Sequence, residues 1–92
     1  MKITVKFFAP FRELFGANES EIELRSATDV RELLNHLCNS SERREKIFDQ
    51  FGKLNSSVMI LKNGQPIQIL DGVQTKLEEG DEIAIFPPVS GG

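Results

Sequence analysis

The residues whose chemistry stands out are FPPVSGG, positions 86–92. Pro87 and Pro88 hold φ near −65° and favour an extended path. Val89, Ser90, Gly91 and Gly92 follow. The two glycines lack Cβ atoms, so they can pass a narrow channel and take up any φ/ψ inside it. From Pro87 onward, six residues reach at most about 20 Å, at roughly 3.4 Å each. That is enough to carry the Gly92 carboxylate into the active site of another protein. A carboxylate is ionised at neutral pH and is a poor electrophile. It needs prior activation, most simply as an acyl-adenylate made from ATP. A sulfur nucleophile can then displace AMP. This chain lacks residues for that step, so the activation is expected to come from a partner enzyme.

Elsewhere the sequence offers little catalytic material. His36 is the only histidine and Cys38 the only cysteine. No Cys-x-x-Cys, histidine pair or glycine-rich phosphate loop occurs, and no metal site is expected. Cys38 lies on an apolar stripe and reads as a small buried hydrophobe. A single cysteine excludes an internal disulfide and agrees with a cytoplasmic location. The formal charge of −3 and the absence of Trp and Tyr argue against nucleic acid as a partner. No apolar run exceeds four residues, which argues against a membrane span or a signal peptide.

The elements that must position the tail follow from periodicity. Residues 2–9 alternate, with Ile3, Val5 and Phe7 on one side and Phe8 on the other, as in a strand with one buried face. Residues 10–18 form a connection whose Phe11, Leu14 and Phe15 turn inward. A second strand spans 21–25. The period then changes over 26–39: Val30, Leu33, Leu34, Leu37 and Cys38 make one helical stripe, capped by Ser26 or Thr28. A weaker helical pattern over 40–52 places Ile47, Phe48 and Phe51 on an apolar face, with Gly52 as C-cap. Residues 58–61 form a strand, Asn63-Gly64 a hairpin turn, and 66–69 a short return strand. The last strand is 82–86, with Ile83 and Ile85 on one face and Phe86 on the other. The class is α+β: a mixed sheet on one main helix plus a short second helix, with first and last strands adjacent in its centre. The domain is 1–86 and the tail 87–92. Phe8 and Phe86 then form an exposed aromatic patch at the base of the tail, suited to docking. The acidic run 78–82 is a turn that can also steer a basic partner.

With VKFFAPFREL at its start and EEGDEIAI before FPPVSGG, the chain resembles MoaD, the sulfur-carrier small-subunit family of molybdopterin synthase. The resemblance spans almost the whole chain. It implies the ubiquitin-like β-grasp fold. It also implies that an E1-like enzyme adenylates Gly92 with ATP, and that sulfur is then installed as a Gly92 thiocarboxylate. The tail inserts into the large subunit, forming a heterotetramer, and gives up sulfur to a pterin precursor. On this resemblance Gly92 carries the sulfur, and Gly91 and Ser90 thread the channel. Phe8 and Phe86 take docking positions, beside Pro87, Pro88 and Val89. No cofactor is held stably. Ser90 stands where Thr is also usual. Two other readings compete: a ubiquitin-like modifier joined to lysines through Gly92, and the sulfur carrier of thiazole synthesis.

Overall fold

The computed structural model describes residues 1–87. Five strands form one mixed sheet: β1 (Lys2–Phe7), β2 (Glu19–Glu23), β3 (Met59–Lys62), β4 (Gln65–Pro66) and β5 (Glu82–Phe86), in the order β2-β1-β5-β3-β4. β5 lies at the centre, parallel to β1 and antiparallel to β3. The expected side-by-side placement of first and last strands is therefore present. Alternation explains the sidedness: Ile3, Val5, Phe7, Ile83 and Ile85 are buried on one face of the sheet. On the other face Lys2 opposes Glu23 and Lys6 opposes Glu19, favourable cross-strand charge pairs.

The main helix α2 (Val30–Leu37) covers the inner face with Val30, Leu33, Leu34 and Leu37, all buried. It is shorter than the 26–39 pattern, and its cap is Asp29, not Ser26 or Thr28. The cause is tertiary. Val30 N–H donates to the Thr75 carbonyl and Leu77 N–H to that of Thr28, which holds residues 28–30 extended. Asp29 is then the first residue free to cap, and its Oδ1 accepts from Glu32 N at 3.0 Å. Thr28 is instead buried and donates its hydroxyl to Glu32 at 2.6 Å.

Arg25 also donates to Glu32, through Nε at 3.2 Å. The Arg25 bond, followed by that from Thr28, lowers the Glu32 pKa from 4.5 to about 2. A depressed folded-state pKa means that stability is present above the unfolded value and is lost as pH falls from about 4.5 toward 2. Glu32→Gln is expected to lower the melting temperature at neutral pH and to approach the wild type as pH falls toward 2, which flattens the acid fall across that window. An unchanged acid slope in thermal melts would assign the loss to other carboxylates.

Two short helices complete the fold. Residues 10–18, expected as a plain connection, contain α1 (Phe11–Phe15), closed by Gly16 at φ 75°. Phe11 is buried, and Phe15 stacks on Phe7 at 4.5 Å. The other, α3 (Ser41–Ile47), is capped by Ser40 Oγ, which accepts from Arg43 N. Arg43 ties the helices together: it donates to the Leu14 and Leu37 carbonyls and lies over the Phe15 ring. The 40–52 pattern overran α3. Asp49 Oδ1 accepts from the N–H groups of Phe51 and Lys53, a turn that replaces further helix. Phe51 is consequently 77% exposed, not part of an apolar face, and the C-cap is Phe48 rather than Gly52. The Asn63-Gly64 turn is present, with φ 49° and 86°. The return strand stops at Pro66, and a 3₁₀ turn over Ile67–Ile69 sends Ile67 into the core.

Candidate functional site

The candidate site is the outer face of the sheet where β5 ends. Because Ile83 and Ile85 point into the core, Glu82, Ala84 and Phe86 point outward. Phe7 lies opposite Ile85 across the β1–β5 pair, so the next residue, Phe8, falls beside Phe86. The two rings stack with centroids 4.2 Å apart and planes 11° from parallel. Pro87, half-buried, follows directly on Phe86. Phe8 and Phe86 thus stand together at the base of the tail. Pro88, Val89, Ser90, Gly91 and Gly92, also named from the sequence, lie outside the described residues.

Sequence reasoning missed three neighbours. Met59 is the register partner of Phe86 and is 42% exposed, Leu61 is the partner of Ala84, and Pro66 is the partner of Leu61. With Ser57, Phe86 and Pro87 they line a shallow concavity of about 620 Å³. The run VMIL is apolar throughout, so its alternation carried no contrast; only the NG turn register could have oriented it. Across Pro87 lies a cleft of about 670 Å³ between α1 and α3, floored by Phe11 and Leu14 and rimmed by Glu13, Glu42 and Glu45.

The acidic run 78–82 is largely consumed by the fold. Asp81, buried, accepts from Glu78 N at 2.7 Å and Asn63 Nδ2 at 2.9 Å, and Lys62 lies 3.5 Å away. Glu79 accepts from Lys2 N, and Glu82 pairs with Lys6 at 3.2 Å. These contacts fix the start of β5 and leave fewer free charges for steering than the sequence implied.

Cys38 is buried, and desolvation raises its thiol to about 11, so it stays protonated and unreactive at neutral pH. His36 is exposed on the same helix. Among the described residues no group of three His, Cys, Asp or Glu side chains is arranged to hold a metal.

Comparisons agree with this geometry. The ThiS family matches residues 5–92. The molybdopterin synthase sulfur carrier subunit of Escherichia coli is 37% identical over 90 residues, covering 98% of this chain and 99% of the relative. Small archaeal modifier protein 3 of Haloferax volcanii is 33% identical over 92 residues, covering both chains fully. The solution structure of small archaeal modifier protein 1 from Methanosarcina acetivorans superposes with a TM-score of 0.84 at 35% identity, covering 99% of this chain and 96% of that one. The mixed sheet on its main helix is therefore the ubiquitin-like β-grasp, and the chain belongs to the ThiS family of ubiquitin-like sulfur carriers and modifiers.

Proposed function

We propose that this protein is a non-catalytic sulfur carrier, the small subunit of a molybdopterin synthase. The observation that carries the reading is the end of β5: the central strand finishes at Phe86, in the Phe8–Phe86 stack, and the sequence from there runs to Gly91 and Gly92. An E1-like enzyme supplies ATP chemistry. The Gly92 carboxylate attacks the α-phosphate, releasing pyrophosphate and forming an acyl-adenylate. Hydrosulfide then attacks the acyl carbon, the acyl–phosphate bond breaks, and AMP leaves, giving a thiocarboxylate without any change of oxidation state. The large subunit receives the tail, and the sulfur passes to a pterin precursor. The carrier itself holds no cofactor and works in the cytoplasm.

The same activated carboxylate is chemically open to a lysine amine, which would displace AMP to form an amide. The full-length match to an archaeal modifier protein favours this second reading, protein conjugation through Gly92. The deciding experiment incubates the chain with ATP, an E1-like enzyme and a sulfide source, followed by intact-mass analysis. Replacement of one terminal oxygen by sulfur is expected. A thiol-directed alkylating reagent should then label the C-terminus and spare Cys38, whose thiol is buried and protonated. Labelling confined to Cys38 would remove the carrier reading. Lysine conjugates formed without any thiocarboxylate would favour the modifier.

A further inference from the structure

Arg12 is held differently from the other four arginines of the chain. Arg25, Arg31, Arg43 and Arg44 each direct an Nη group to a protein acceptor: Glu32, the Gly52 carbonyl, the Leu37 carbonyl and Asn35, respectively. Arg12 uses only Nε, which donates to the Phe7 carbonyl at 3.1 Å. Its guanidinium carbon lies 5.7 Å from the centroid of the Phe8 ring, the ring that stacks on Phe86. Among the described residues neither Arg12 Nη group has an acceptor, and the residue is exposed. A short helix sets this position, since α1 presents Arg12 toward the end of β1 while Phe11 enters the core.

We propose that Arg12 is a recognition site for a carboxylate on the partner protein that docks over the Phe8–Phe86 patch. The fork fits the group. Two Nη–H donors side by side match the two oxygens of an Asp or Glu side chain, which bind as a bidentate pair. The bond to Phe7 and the contact with Phe8 already restrict the side chain, so less rotamer freedom is lost on binding. The surroundings add selectivity. The cation sits at the border of an apolar patch on a chain of net charge −3. A partner with one carboxylate amid apolar residues finds both complements there, whereas a uniformly acidic surface meets a chain of net charge −3 whose next residue along α1 is Glu13.

This inference rests on the carrier reading for the identity of the partners, so the test has one arm with them and one without. In the first, affinities for the E1-like enzyme and the synthase large subunit are measured with wild type, Arg12→Gln and Arg12→Lys. Arg12→Gln should weaken at least one complex by about 10- to 100-fold, and Arg12→Lys should recover only part of that loss. A scan of partner Asp and Glu residues to their amides should find one whose loss is non-additive with Arg12→Gln. In the second arm, NMR follows the free chain during titration with an end-blocked peptide carrying one glutamate flanked by leucines. Shifts at Arg12 Nε, Phe8 and Phe86, absent in Arg12→Gln, support the site independently of any carrier function. Unchanged partner affinity and an unperturbed Arg12 together overturn it. So does loss of the Phe8–Phe86 contact in Arg12→Gln, which would make Arg12 a structural brace. Peptide-induced shifts that require Gly91 and Gly92 would also overturn it, giving the fork to the chain's own carboxylate.

Discussion

Phe86→Arg is expected to weaken binding to the activating enzyme and to the large subunit by roughly 30-fold or more while leaving a folded domain. The register is the reason. Phe86 faces away from the core that Ile83 and Ile85 complete, and its ring contacts Phe8 rather than α2. Replacing it removes one half of a half-buried stack, not the fully exposed patch that alternation implied, and places a second guanidinium near Arg12. The stack itself is worth about 0.5–1.5 kcal/mol, so the melting temperature should fall by some degrees, at about 4–8 °C per kcal/mol for a domain of this size. Binding should suffer more. A central aromatic at an interface carries about 2 kcal/mol or more, because its partner pocket loses both area and dryness when it goes. Met59→Asp provides a second reading of the same face, since Met59 lies opposite Phe86 on β3. Circular dichroism and calorimetric affinities on both variants separate folding from docking. Full affinity in both would move the interface off the outer face, and global unfolding of Phe86→Arg would make that side chain part of the core.

What the sequence disclosed was set by how local each signal is. Ile3, Val5 and Phe7 alternate with polar residues, and Val30, Leu33, Leu34 and Leu37 repeat at helical spacing. Both patterns were readable because one face is buried and the other wet. The Asn63-Gly64 turn was readable because its backbone angles demand those residue types. The start of α2 was not readable. Three capping residues stand together at Ser26, Thr28 and Asp29, and the choice among them is made by hydrogen bonds to residues 75–77, distant in sequence. Phe51 was misplaced for a similar reason, since an aspartate turn cut the helix before the apolar spacing could act. For the site, the pairing of Phe8 with Phe86 was legible from alternation together with the adjacency of the first and last strands. Met59, Leu61, Pro66 and Arg12 were not, because their places depend on which strand pairs with which, and on a helix too short to show a period.

Removing Gly91 and Gly92 is expected to abolish sulfur transfer with almost no change in melting temperature. The deleted residues have no side chains to bury. They lie beyond two prolines that follow the end of β5 at Phe86. The core is therefore untouched. The reactive group, however, moves. The terminal carboxylate would sit on Ser90, set back by roughly 7 Å at about 3.4 Å per residue. Adenylation needs the carboxylate within attacking distance of the ATP α-phosphate, and sulfur delivery needs the thiocarboxylate at the pterin. Both geometries tolerate errors of only about 1 Å. A shift several times larger cannot be absorbed by side-chain adjustment. Docking through Phe8, Phe86 and Arg12 should survive in part, because those residues belong to the folded domain. The truncated chain thus becomes a competitor: it occupies the partner without reacting. Three measurements check this: the melting temperature, the affinity for the large subunit, and thiocarboxylate formation with ATP and the E1-like enzyme. Added in excess to a complete system, the truncated chain should slow molybdopterin formation by the intact one. Sulfur transfer retained by the truncated chain would take the reaction away from Gly92.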